Sequence, residues 1–299
     1  MSIEKGVLLF KDEVNKGVDP IPTASDAIWL NSLNINAAPE IVANDPLSQS
    51  KGAAKSLRGD SAINIEASLY LRGSGTAGTA PNVAALLKAA GLAETVSAGT
   101  KVSYAPTMTE QTGTGYSYKG GLFYKALATV TSFKMDASIN QPLNSSFTLD
   151  AGFDVSATTV AEPTVAEPTV QPIVMTSVSA ITSDGTGIKV ASFSFDLGNN
   201  NTRDNTTGSN GFHISDFKPQ ITLTKDGLTA ADRAKLEAAT SVSIVAVFGT
   251  VAGNKITLTA TNCDMVALAG SSRDDVITSD ITYDCTKTNG NDNFTLEFL

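Results

Sequence analysis

Imidazole and thiol chemistry have little to work with in this chain. It holds one histidine, His213, and two cysteines, Cys263 and Cys285, in 299 residues. A zinc site draws on three or four such ligands, and a serine triad needs its histidine beside a nucleophile that no G-x-S-x-G elbow supplies here. His213 stands between Phe212 and Ile214 and reads as a structural or surface residue. No Walker lysine motif is present. Thirty acidic residues are scattered along the strands, so chance carboxylate pairs are expected and mark no acid–base centre. The expectation is a non-enzymatic chain with no cofactor and no metal.

Other scarcities narrow the class further. Lysine and arginine number 21 against 30 acids, a net charge of -9. A nucleic-acid binder would need the opposite balance to neutralise phosphates, although an acidic surface suits a channel that DNA must pass without sticking. The N-terminal region carries an apolar run only from Val7 to Phe10, too short for a secretory signal. No stretch approaches the ~20 apolar residues of a membrane span. The expectation is synthesis in the cytosol, without export by that route and without a membrane partner. In a reducing compartment Cys263 and Cys285 read as two small, partly buried thiols on or beside neighbouring strands, with a bridge between them geometrically conceivable. Matches to the N-glycosylation pattern, such as Asn205-Thr206-Thr207, are discounted for the same reason of compartment.

What the chain does have is small, β-branched and hydroxyl-bearing residues. Aromatics make up 6%, charged residues 17% and apolar residues 41%, which is too apolar for disorder and suited to strands and turns. Strand-like runs recur at 62–71, 101–104, 122–135, 145–155, 188–197, 221–224, 242–248, 255–260, 276–283 and 293–299. Gly, Asn and Asp clusters punctuate them, the pattern of antiparallel meanders or a sandwich. Two short helices are predicted. One starts at Pro81, with Val83, Leu86, Leu87 and Ala90 at helical spacing and Gly91 as its stop. The other covers 230–239, capped by Thr229 with Asp232 in its first turn. Residues 1–30 read as an extended arm, because Pro20 and Pro22 hold their predecessors extended. The stretch 36–60 shows neither period and reads as a long loop of the kind a partner orders. The doubled Ala161–Val165 and Ala166–Val170 segment is a proline-spaced connector at 157–173. It is expected to span the surface of a single 1–299 domain rather than to divide two.

Two motifs invite sharper readings. Gly73-Ser74-Gly75-Thr76-Ala77-Gly78 matches G-x-G-x-x-G after a strand and before a helix, as a dinucleotide site would. However, the preceding strand carries Asn64, Glu66 and Ser68 where a central parallel strand is nearly all apolar, and no further βα alternation follows. A turn is expected. The oxygen-rich run 196–210 could attract calcium, but its spacing fits no EF-hand and a polar surface loop is expected. A calcium- or carbohydrate-binding surface module and a nucleotide-dependent enzyme are the competing classes that these two motifs define.

Taken in order, several segments resemble the tail tube proteins of tailed bacteriophages. These are Pro22 to Ile28, Glu66 to Gly75, Gly99 to Pro106, Ser192 to Asn199, Ile214 to Pro219 and Asp292 to Phe298. The doubled segment is a departure that marks a loop variation. The resemblance implies a mainly β, antiparallel sandwich or barrel of the tail-tube type with one or two short helices. It implies subunits joined in hexameric rings that stack into a hollow tube in the virion tail, assembled in the host cytoplasm. It further implies a tape-measure protein inside during assembly, terminator and baseplate proteins at the ends, and DNA passing through the lumen. On that reading the arm and the loop reach the next ring and become ordered on assembly. Asp26, Ile28, Trp29 and Leu30 of the arm, with Ile41, Leu47 and Arg58 of the loop, are the expected contact residues. Removing residues 1–30 is then expected to leave a folded monomer or ring that cannot stack.

Overall fold

The computed structural model describes residues 6–44, 52, 54–154, 161–207 and 209–299. The chain begins with strands β1 (Gly6–Asp12), β2 (Ala27–Ile28), β3 (Ser32–Val42) and β4 (Leu57–Tyr70), followed by helix α1 (Ala84–Ala89). Next come β5 (Leu92–Ser97), β6 (Lys101–Pro106), β7 (Gly113–Lys119), β8 (Leu122–Ser138) and β9 (Asn144–Phe153). Beyond the proline-rich segment lie β10 (Ala180–Ser183), β11 (Thr186–Gly187), β12 (Val190–Asp196), β13 (Asn199–Thr206), β14 (Ser209–Phe217) and β15 (Gln220–Asp226). Helix α2 (Ala230–Glu237) precedes β16 (Val242–Val251), β17 (Asn254–Arg273), β18 (Val276–Cys285) and β19 (Thr295–Phe298).

Antiparallel pairing runs β3–β4–β9–β8 and then divides, because β8 is 17 residues long. Its first half pairs with β7, which leads to β1 and β2. Its last residues, Lys134 to Ser138, pair with β12, which leads through β15 and β18 to β17. Strand β17, 20 residues long, divides in the same way between β19 and β18 along its length. Strands that change partner part-way let one sheet fold over on itself, giving a sandwich- or barrel-like mainly β fold. One apolar cluster fills the interior and draws on both sides of the connector, from Leu8 and Ile65 to Phe248 and Leu296. The sparse aromatics are concentrated there, with Phe195 and Phe294 at 4.8 Å between ring centres and Phe133 and Phe147 at 5.1 Å.

Both predicted helices are present. Around α2, the Thr229 hydroxyl accepts from the Asp232 N–H at 3.2 Å while the Asp232 carboxylate accepts from the Thr229 N–H at 3.1 Å, a reciprocal cap. Gly91, at φ +85°, ends the chain's turn out of α1. Helix α1 lies against β8, whose Thr131 hydroxyl donates to the Leu86 carbonyl at 2.8 Å.

Three segments depart from expectation. Residues 6–12 are not part of a free arm. They form β1, inserted between β2 and β7, with Leu8, Leu9 and Phe10 at 0%, 2% and 2% exposure. The chain after β1 is tied down as well, since Tyr116 donates to Asp19 at 2.5 Å and the Lys125 ammonium lies 2.9 Å from the same carboxylate. Burial alone would raise the Asp19 pKa, but the hydrogen bonds from Tyr116, Lys125 and the Ile21 N–H outweigh it and hold it below the ordinary carboxylate value. The proline pair signalled neither freedom nor a uniformly extended backbone, since Ile21, ahead of Pro22, adopts a positive φ of 54°. Second, among the described residues of the predicted loop 36–60, residues 36–42 and 57–60 are strand, the outer parts of β3 and β4, paired from Ser32↔Ser68 to Val42↔Leu57 with a register shift between Pro39 and Ile41. Third, the polar run 199–210 belongs to the β13/β14 hairpin, where His213 faces Thr202.

Glu13 closes the end of β1 in an unusual way for a carboxylate only 2% exposed. Its Oε1 accepts from the Thr114 hydroxyl at 2.7 Å and the Ala128 N–H at 2.9 Å, and its Oε2 from the Thr112 hydroxyl and the Gly17 N–H, both at 2.7 Å. Ala128 sits at φ +47° in a bulge of β8, where the register with β7 slips between Gly113 and Gly115. A non-glycine residue in that conformation is strained, and the Glu13 oxygen on its N–H is what holds it.

Candidate assembly surface

The residues expected to meet a neighbour separate into two groups. Asp26 accepts from the Thr23 N–H at 2.8 Å and from its hydroxyl at 3.0 Å, capping the single turn Ala24–Asp26. Ile28 is buried opposite Leu8, and Leu30 packs against the main core. Trp29 donates its indole N–H to the Ala166 carbonyl at 3.0 Å, with the Arg72 guanidinium 5.7 Å above its ring. Arg72 also donates to the Val170 carbonyl at 3.2 Å, Asn254 to the Gln171 carbonyl at 3.0 Å, and Val165 packs against the small buried cluster of Leu9, Ala27, Tyr116 and Tyr118. The doubled proline segment is thus a strap laid over Trp29 and Arg72, and the first group is engaged within its own subunit.

Ile41 and Arg58 form the second group and are cross-strand partners on the β3/β4 hairpin. Leu47 lies outside the described residues. The inner part of β4 alternates buried and exposed, while its outer residues, Leu57 to Asp60, are exposed on both faces. Val42 and Leu57, at 45% and 55% exposure, are therefore opposed apolar side chains on one face of a ribbon that has run past the core, and Ile41, at 57%, is exposed on its other face. A two-stranded ribbon has marginal stability in water and an apolar patch on it marks a contact surface. Its base is braced by β13/β14: Asn210 donates to the Ser61 carbonyl at 3.0 Å, and Arg203 lies 3.5 Å from Glu40.

A second ribbon escaped notice in the sequence. The distal parts of β17 and β18 are exposed, with Val266, Val276 and Ile277 at 48%, 50% and 63%. The signal was the Asp274-Asp275 pair between two strand-like runs. Both residues adopt positive φ, 48° and 64°, as a two-residue hairpin turn of the primed type requires.

The glycine motif is absorbed by packing. A Cβ on Gly73 would lie 2.0 Å from the Gly253 carbonyl oxygen, and one on Gly78 would lie 2.3 Å from the Gly99 nitrogen. The amides that would cradle a phosphate are already used: Gly73 N–H donates to Asn254 Oδ1 at 2.8 Å and Gly75 N–H to the Gly253 carbonyl at 2.9 Å. These glycines let two turns touch. Gly73→Ala is accordingly expected to destabilise the fold by about 3 kcal/mol, measured as a lower urea midpoint at unchanged slope. Loss of less than about 0.5 kcal/mol would mean that the turn yields freely. Among the described residues no group of three or more His, Cys, Asp and Glu is placed to hold a metal ion, and no helix is long and apolar enough to cross a membrane.

These features define a mainly β assembly subunit, with a closed core and apolar ribbons that extend beyond it. A family model described as phage tail tube protein matches residues 4–285, and the chain belongs to that family. It is a structural protein of the phage tail, which forms the tube with other copies of itself and with other tail components. A comparison with individual curated proteins gives no match.

Proposed function

We propose that the subunits close into hexameric rings, that the rings stack, and that the β3/β4 hairpin carries the contact from one ring to the next. The observation that carries this reading is the exposure of apolar side chains on both faces of the ribbon, Val42 opposite Leu57 on one and Ile41 on the other, where it has no core of its own. Ile41, Arg58 and Leu47 are the residues proposed to enter the contact. Asp26, Ile28, Trp29 and Leu30 act from within the subunit, by fixing the capped turn and the strap. The whole chain works as one unit, since β8 and β17 each serve two groups of strands. Assembly takes place in the host cytoplasm around a tape-measure protein and ends at terminator and baseplate proteins. A net charge of -9 supports passage of DNA through the lumen without adhesion.

Ile41→Asp places a charge in the proposed contact while leaving the core untouched. The expected result is a subunit with normal circular dichroism and melting temperature that forms no long tubes under electron microscopy. Tubes of ordinary length from this variant would remove the hairpin from the contact.

A further inference from the structure

The only two cysteines of the chain stand face to face. Cys263 of β17 and Cys285 of β18 are cross-strand partners, their sulfur atoms 3.9 Å apart. Both are more deeply buried than their sequence context suggested, at 0% and 4% exposure. The Cys285 N–H points away from β17 and donates to the Pro219 carbonyl at 2.8 Å, while the following N–H, of Thr286, donates to the Asn262 carbonyl at 2.8 Å. The cysteines therefore occupy a non-hydrogen-bonded position of the ladder, where opposed Cα atoms approach to about 4.5 Å. A disulfide accepts Cα separations of about 4.4–6.8 Å. Side-chain rotation alone can bring the sulfurs into bonding distance.

We propose that Cys263 and Cys285 form an oxidation site, at which a peroxide converts the two thiols into a disulfide within the subunit. The Cys263 thiol and burial hold Cys285 protonated in the closed pair. Once the strand end opens, one thiol gives up its proton, the thiolate attacks a peroxide oxygen, the O–O bond breaks, and the departing hydroxide takes up that proton as water, leaving a sulfenic acid. The second thiol attacks that sulfur, the S–O bond breaks, and a second water leaves with its proton. Two electrons pass from the sulfur pair to the peroxide. Access comes from the strand end: Cys285 is the last residue of β18 and the exposed stretch 287–291 follows, so fraying there opens the pair to a small oxidant. The bond would staple the root of the β17/β18 ribbon, fixing the register of the exposed Val276 and Ile277. The proposal rests on the geometry of the pair and is independent of ring size and of the β3/β4 contact.

The test uses the full chain purified under reducing conditions, exposed to hydrogen peroxide, quenched with catalase, and then denatured in N-ethylmaleimide for intact mass measurement. The expected product is a monomer on a non-reducing gel, lighter by two hydrogen atoms and carrying no maleimide. Its Tm should rise by about 5 °C, dithiothreitol should reverse the rise, and Cys263→Ser should abolish it. Two maleimides per chain, after a peroxide dose that oxidises the same protein unfolded in urea, would overturn the proposal. So would products that gain oxygen at sulfur, or disulfide-linked dimers in place of the internal bond.

Discussion

Glu13→Ala is expected to lower the unfolding free energy by about 4 kcal/mol. The carboxylate accepts from four neutral donors, two threonine hydroxyls and two backbone N–H groups, on three different segments. Removing it leaves Thr112 and Thr114 hydroxyls, at 5% and 0% exposure, without their acceptor, and each such loss costs roughly 1–3 kcal/mol before water enters the gap. The left-handed conformation of Ala128 loses its support at the same time. Glu13→Gln separates charge from shape. Its amide nitrogen would face donors instead of accepting from them, so an intermediate loss of about 2 kcal/mol is expected. Urea unfolding followed by Trp29 fluorescence reads both variants. Equal midpoints for wild type and Glu13→Ala would show that the bulge is held by its neighbours alone.

Deleting residues 1–30 is expected to unfold the subunit, in contrast to what an arm reading of the sequence predicts. The deletion removes Leu8, Leu9 and Phe10, all essentially buried. At about 2 kcal/mol each their burial sums to about 6 kcal/mol, comparable with a domain's whole stability of roughly 5–15 kcal/mol. It also uncovers the edge of β7, which pairs with β1 along seven positions from Gly6↔Lys119 to Asp12↔Gly113. Far-ultraviolet circular dichroism and hydrogen exchange would show a loss of cooperative unfolding in the truncated chain. A truncated protein with a native-like melt that merely fails to elongate would restore the arm reading. The two deletion outcomes and the Ile41→Asp variant together separate folding from assembly.

Where a strand has one wet face, or an apolar run bounded by turn residues, its sequence announces it. Strands β6, β9, β12, β16 and β18 were legible on that basis. Both helices were legible as well, because caps are local: Thr229 with Asp232, and Gly91 after the apolar turns of α1. Strand β7, Gly-Thr-Gly-Tyr-Ser-Tyr-Lys, was not legible. Six of its seven residues are buried, yet its small residues carry no apolar period; Gly113 is required because a Cβ would lie 2.4 Å from the Phe10 ring. The β13/β14 hairpin was missed for a related reason. Asn199 donates to the Ala90 and Thr131 carbonyls at 3.1 and 2.7 Å, and Asn201 donates to Asp150 at 2.8 Å. The amide N–H groups of Asn199 and Asn201 find acceptors on other elements of the fold, which holds these polar residues in strands instead of in a solvated loop.

The candidate surface divided along the same line. Ile41 and Arg58 lay in a stretch without periodicity, and that absence was itself the signal of a segment with no core to face. Its strand character came from pairing with β4. Of the stretch Asp26 to Leu30, expected to meet a neighbour, Trp29 anchors the chain's own strap and Ile28 and Leu30 pack on the core. The sequence by itself determined the mainly β class, the scarcity of catalytic groups and the resemblance to tail tube proteins, because composition, turn residues and caps act over a few positions. Only the tertiary structure decided which extended segments are buried and which project. That choice depends on partners far apart in the chain: β1 against β7, the strap over Trp29, and two ribbons that outrun the core.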